Sequence, residues 1–253
     1  MQNLRILNVS AGNTSYGHAD IPFSAINNYL WTNFQTMESA TLEFLRRLRL
    51  NNNREWFNTH KNLYTAARED VIRLIESVTE ACATFDPEIA KTDARKSLFR
   101  IYRDIRFSPN KDPYKTNFGA SLGTGKGSQT AGYYLHIEPG KSFAGGGLYM
   151  PETAALKKVR QEISVFGKDF LSIIHNANFR QYFDGLDEEN SLRRIPQGFE
   201  KEDPMGEYLK LKSFVVFHSL PDEEITADDA PENIARMFRA LQPLNTFINT
   251  ALT

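Results

Sequence analysis

Residues 115–150 read KTNFGASLGTGKGSQTAGYYLHIEPGKSFAGGGLYM, and their pattern decides the fold class. Three short runs rich in apolar and aromatic residues, 115–122, 131–138 and 143–150, are separated by GTGKGSQT (123–130) and EPGKS (138–142). Short runs bounded by Gly, Pro and Ser clusters read as strands joined by tight connections, hence an antiparallel meander. On the middle run Tyr134, His136 and Glu138 alternate onto one face. Gly145, Gly146 and Gly147 weaken a strand, so they point to a bulge, tight packing or close approach of another backbone or a ligand.

Helical patterns lie on both sides of the meander. Ser39 can cap a helix to about Leu50, and Asn53 a second, long one to about Ala83, ended by Asp86-Pro87. Downstream, Pro151 suits the first position of a helix that bends near Gly167 and resumes to about His175. Leu192–Ile195 reads as a short strand, Tyr208–Leu211 as a helical turn and Ser213–Leu220 as a buried strand. Residues 231–250 form a closing helix. Helices, then strands, then helices is an α+β order rather than a βαβ alternation. The expectation is one α+β domain over 37–253, with an antiparallel meander sheet flanked by N-terminal and C-terminal helices. Residues 1–36, rich in Asn, Ser, Thr and Gly, form an N-terminal extension, expected to be disordered, a strap, or upstream of a native start at Met37.

Composition excludes some classes of function. The chain has 253 residues and a net charge of −1, which argues against a protein that coats nucleic acid non-specifically. Cys82 is the only cysteine, so there is no internal disulfide and no cysteine-based zinc site; inside an apolar helix it reads as a small buried hydrophobe. The five histidines show no paired metal-ligand spacing, and no metal or cofactor is indicated. No apolar run is long enough for a membrane helix and no secretory signal opens the chain, so the expected location is cytoplasmic. GTGKGS resembles a phosphate-binding loop but lacks its first glycine and its hydroxyl residue, and the segment after it reads as a strand.

Immediately before the meander stands ARKSLFRIYRDIRFSPNKDPYKTNFG, 94–119. Seven Lys or Arg fall between Arg95 and Lys115 against two acids, Asp104 and Asp112, a local charge of +5 in a chain that is otherwise −6. Leu98, Ile101, Tyr102 and Ile105 fit a helix face; Phe99, Ile101, Ile105 and Phe107 fit a strand face, with Arg103 the exception. The strand is favoured, because the run is short, rich in β-branched and aromatic residues, and followed by turn signals. It puts Arg100, Tyr102, Asp104 and Arg106 on the other face. Guanidinium forks suit carboxylate or phosphate. Such clustered cations invite an anionic ligand, or an ion-pair network that fixes a long loop.

Arg100-x-x-Arg103-Asp104-x-Arg106-Phe107, followed by Asn110-Lys111-x-x-Tyr114-Lys115, resembles the signature of a mainly bacterial family, domain of unknown function 2461. Asn53–Phe57, Gly145–Gly147 and Pro151 are also similar to it, and the resemblance covers about residues 40–220. The family carries no assigned activity, so the resemblance implies domain extent and points to the same residues without bringing a reaction.

The leading expectation is an anion-binding site for a phosphorylated or carboxylated small molecule. Arg100, Arg103 and Arg106 are the donors, Asp104 the orienting acid, and Lys111 and Lys115 the supporting charges. Tyr114 and His136 are the candidate proton-transfer groups if the protein is an enzyme. The alternative is a non-enzymatic module that binds nucleic acid or protein through the same basic surface and its aromatics.

Overall fold

The structure, a computed structural model, describes residues 35–123 and 129–253. The expectations for residues 1–34 and for most of the GTGKGS loop lie outside them. The N-terminal helices are α1 (Ser39–Leu50), α2 (Arg54–Thr59) and α3 (Lys61–Cys82); a 3-10 turn at Ile89–Lys91 and α4 (Ala94–Ser97) follow. Strands β1 (Phe118–Leu122), β2 (Gly132–Ile137) and β3 (Ser142–Leu148) come next. After them lie α5 (Thr153–Val165), α6 (Gly167–Ile174), α7 (Ala177–Arg180) and α8 (Gly206–Leu209). The chain closes with β4 (Phe214–Leu220), α9 (Asp222–Ile225) and α10 (Ala230–Leu252). The sheet has the order β1-β2-β3-β4 with every pair antiparallel, so the fold is α+β.

Alternation gives the sheet its two faces. Phe118, Ala120 and Leu122 on β1 stand opposite Ile137, Leu135 and Tyr133 on β2, and Ala144, Phe214 and Val216 continue this buried face across β3 and β4. It meets α1 and α3 through Phe118, whose ring lies near Phe44 and Tyr64, and α10 through Phe238 against Tyr133. α3 buries Val71, Leu74, Ile75, Val78 and Cys82; α10 buries Ile234, Phe238, Leu241 and Leu244. Each such Val, Ile, Leu or Phe side chain contributes about 1.5–3 kcal/mol of transfer free energy. Asn249 of α10 secures the start of β2, its side chain accepting from the Ala131 amide at 2.7 Å and donating to its carbonyl at 3.1 Å.

The glycine run is explained by the sheet itself. A Cβ on Gly145 would overlap the Val216 carbonyl, one on Gly146 the Gly132 carbonyl, and one on Gly147 the Phe214 carbonyl; Gly147 also has φ +110°. β3 is thus an inner strand whose backbone leaves no room for side chains at these three positions.

Several expectations change in detail. The long second helix is broken at His60, whose ring stacks on Trp56 with centroids 4.3 Å apart and whose Nδ1 meets the Trp56 carbonyl at 2.8 Å. Ser39 does not cap α1. Glu38 holds the cap position, and buried Asp70 of α3 accepts from the Glu38 amide at 2.9 Å and the Thr41 hydroxyl at 2.6 Å. Leu192–Ile195 is not a strand; a single backbone bond, Leu192 N–H to the Lys210 carbonyl, replaces a ladder. The stretch 98–107 makes only isolated antiparallel bridges, Leu98 to Ala120 and Tyr102 to Tyr114. Further backbone bonds join Phe99 to Gly119, Lys115 to Ile101 and Arg103 to Pro113, so the segment runs beside β1 as an irregular hairpin.

Candidate functional site

The hairpin's base is fixed to the N-terminal helices. Asn52, between α1 and α2, donates to the Tyr114 carbonyl at 3.0 Å and accepts from the Tyr114 amide at 3.1 Å. The Tyr114 ring, 4% exposed, stacks on Phe57 with centroids 3.9 Å apart. Burial pushes its phenol pKa above the ordinary value, with Tyr102 nearby adding to the shift.

The tip, residues 103–112, holds itself together. Asp104 accepts from the Arg106 amide and, at 3.0 and 2.7 Å, from the Arg106 guanidinium, which keeps the Asp104 carboxyl below the usual carboxylate range. Arg103 donates to the Asp112 carbonyl and the Ser108 hydroxyl, both at 3.3 Å. Lys111 donates to the Ile105 carbonyl, and Asn110 accepts from the Asp112 amide. Asp104 and Arg106 therefore pair within the loop instead of sharing a strand face with Arg100, and Phe107, expected on the apolar side, is 93% exposed.

The cations of the stretch have distinct surroundings. Arg95 makes a bidentate pair with Glu69 of α3, at 2.8 and 2.6 Å, and Lys96 pairs with Asp93. Arg103 and Lys111 are bonded to neutral oxygens, which leaves their charge uncompensated at close range. Arg100 has no hydrogen bond or ion pair among the described residues, though its charge helps hold the Asp104 carboxyl down. Lys115 Nζ lies 5.5 Å from the centroid of the Phe99 ring, a cation–π contact.

Phe99 leads to the outer face of the sheet, its ring centroid 6.4 Å from that of Tyr134. There the i, i+2, i+4 spacing produces a chain of contacts. Tyr134 Oη lies 3.2 Å from His136 Nδ1, and His136 Nε2 lies 3.3 Å from Glu138 Oε2. A carboxylate only accepts, so the matching tautomer carries its proton on Nε2, and Nδ1 then accepts from the Tyr134 hydroxyl. Glu138 Oε1 in turn accepts from the Thr116 hydroxyl at 3.3 Å and from Arg49 at 3.5 Å. The His136 and Glu138 side chains are 14% and 18% exposed. Burial pushes the His136 pKa below its ordinary value, with Glu138 opposing the shift, and burial raises the Tyr134 phenol.

Two features make room for this chain. Gly119 stands opposite His136 in the register, and the end of the Tyr134 ring occupies the space a Cβ there would need. Phe143 of β3 stacks on His136, with centroids 4.7 Å apart and planes 8° apart. The imidazole is thereby fixed in plane, by a ring on one side and hydrogen bonds at both nitrogens. Such an arrangement can move a proton between Tyr134 and His136 while Glu138 stabilises the imidazolium.

Of the residues expected at a site, His136 meets Tyr134 directly, and Lys115 meets Phe99, whose ring lies beside that of Tyr134. Arg103, Asp104, Arg106 and Lys111 build the hairpin tip, and Tyr114 lies in the aromatic cluster at its base. Sequence reasoning missed Arg49, Asn52 and Thr116. Arg49 is one of several arginines on an amphipathic helix, with nothing local to distinguish it; Asn52 sits in the Asn51–Asn53 run, readable only as a helix break. Among the described residues no cluster of His, Cys, Asp or Glu could hold a metal ion, and none of their helices is long and apolar enough to cross a membrane.

Comparison with curated proteins and with solved structures finds no match. Residues 40–247, spanning the helices, the arginine hairpin and the whole sheet, match the conserved hypothetical proteins designated DUF2461, and the chain belongs to that family.

Proposed function

We propose that the protein binds a small phosphate- or carboxylate-bearing ligand beside the Tyr134–His136–Glu138 chain, and that His136 exchanges a proton there. The observation that carries this reading is a tyrosine bonded to a carboxylate-backed histidine, with the ring of Phe99 beside it and Lys115 over the Phe99 ring. Lys115 and Arg100 are the charged donors. Arg103, Asp104, Arg106 and Lys111 shape the hairpin and add positive field. Tyr114 has no part in the reading, because its ring is buried. A ligand hydroxyl can lose its proton to Tyr134 Oη as the phenol's own proton passes to His136 Nδ1; the imidazolium formed is held by Glu138.

Calorimetric titration of the full chain with inorganic phosphate and with citrate, at low salt, tests it. Saturable binding is expected, weakened about tenfold by Lys115→Ala, as loss of one charge-assisted contact implies. No binding of either anion, or equal binding by wild type, Lys115→Ala and Arg100→Ala, would refute it.

Exposed Phe107, with the Arg106 guanidinium 5.8 Å from its ring centroid, favours a second reading, stacking against single-stranded nucleic acid. Gel retardation at low salt that is lost in Phe107→Ala would support it; no retardation by wild type removes it.

A further inference from the structure

We infer that a groove between α6, α7 and α10 is a second binding site, independent of the sheet, for a small organic anion with an aromatic or other apolar body. The groove encloses about 390 Å³, toward the small end of the range of about 300–1,000 Å³ typical of small-molecule sites. Its apolar lining includes Ile173, Phe179, Ala240 and Pro243. Arg236 and Arg239, both exposed, also line it, one helical turn apart on α10.

No carboxylate lines the groove. Arg236 donates only to the Asn233 side-chain oxygen, at 2.9 Å, and Arg239 lies over the Phe85 ring at 5.9 Å, so among the described residues neither guanidinium has an acid partner. Cations at i and i+3 on one helix face repel each other. An anion between them removes that repulsion, and two guanidinium forks can take up a carboxylate or a phosphate.

The position of Pro243 fits a binding wall. A proline inside α10 has no N–H for the Arg239 carbonyl, so the helix gives up a regular bond where it lines the groove. The amide of Gln181 and the ring of Tyr182 also line it, and can hydrogen-bond and pack against a ligand. A lining that combines two exposed arginines with apolar side chains selects an amphiphilic molecule over a bare ion.

The test is calorimetry on the full chain at low salt with phenyl phosphate, phenylacetate, inorganic phosphate and benzyl alcohol. The expected result is saturable binding of one or both aromatic anions, weaker binding of inorganic phosphate, and none of benzyl alcohol. Arg236→Gln with Arg239→Gln should weaken the aromatic anion about tenfold or more, and should do so equally in the Lys115→Ala background. Both arginines are exposed, so the double variant should melt as the wild type does; if it does not fold, the Arg239→Gln single variant carries the test. No saturable binding of either aromatic anion, equal binding by the arginine variants, or equally tight benzyl alcohol would overturn the inference. Aromatic-anion binding lost in Lys115→Ala but kept in the arginine variants would assign it to the sheet and also overturn it.

Discussion

Gly119→Ala isolates the contact on which the proposed proton chain depends. Gly119 does not occupy the left-handed region, so alanine brings no backbone strain. Its methyl would overlap Tyr134 Oη and stand 3.2 Å from Cζ and 3.4 Å from Cε2. The atoms in the way belong to the free end of a side chain, so the ring swings aside and the strands stay in register. That places the crowding at the low end of overpacking, about 1 kcal/mol. Loss of the bond from Tyr134 to His136 adds about 1 kcal/mol. Alanine narrows the unfolded ensemble and returns about 0.4–1 kcal/mol. The net is a destabilisation of about 1 kcal/mol, or a Tm lower by about 2–4 °C for a chain of this size. Urea denaturation followed by circular dichroism measures the first figure. An NMR titration of the His136 ring protons supplies the second readout: once the tyrosine ring moves and water enters, the depressed His136 pKa should rise toward its ordinary value. A Gly119→Ala protein as stable as wild type, with His136 titrating unchanged, would refute the packing argument and the relay geometry together.

Asn52→Ala removes both hydrogen bonds that hold Tyr114; a loss of about 2 kcal/mol and of about 4–8 °C in Tm is expected, and Asn52→Asp, which keeps the acceptor, should recover part of it. The pH dependence follows from His136, whose folded pKa lies below its ordinary value of 6.5. Above that value neither state binds the proton and stability is flat; as pH falls toward the folded pKa the unfolded chain binds it first and stability drops. Denaturation midpoints measured from pH 7.5 downward should show this decline, and His136→Gln should remove its share. Buried Cys82, whose thiol pKa is raised by burial, should react with a thiol reagent only as fast as the native chain opens and at once in denaturant; rapid labelling of the native protein would contradict its place in the core.

What the sequence made legible was what period and punctuation carry. The meander, the buried strand at 214–220, the Asn53 cap and the bend near Gly167 follow from alternation, capping and glycine, and each lies close to its expected position. His136, Tyr134 and Glu138 were placed together because period two leaves no other arrangement once β2 is a strand. The hairpin was read poorly for the opposite reason. Phe99, Ile105 and Phe107 alternate in the sequence, but the pairing ends at Arg103 and Pro113, and the tip beyond is set by bonds from side chains to backbone, which have no period. Long-range partners such as Asp70 beneath α1 and Arg49 against Glu138 give no local signal at all.

The density of charge in the arginine stretch therefore does not measure its capacity for ligands. Three of its cations are consumed by carboxylates, Arg95 by Glu69, Lys96 by Asp93 and Arg106 by Asp104, and two more brace the loop against its own oxygens. The side-chain bonds of residues 103–112 are internal to the tip, whereas the base is fastened twice, at Asn52 and at the Leu98–Ala120 bridge. A rigid base and a self-contained tip hold the intervening residues at fixed positions along β1. Phe99 and Lys115 lie in that held portion: the Phe99 ring lies beside that of Tyr134, and Lys115 sits over the Phe99 ring. The motif's many charges are best understood as the construction that holds Phe99, with Lys115 over its ring, beside Tyr134 on the sheet.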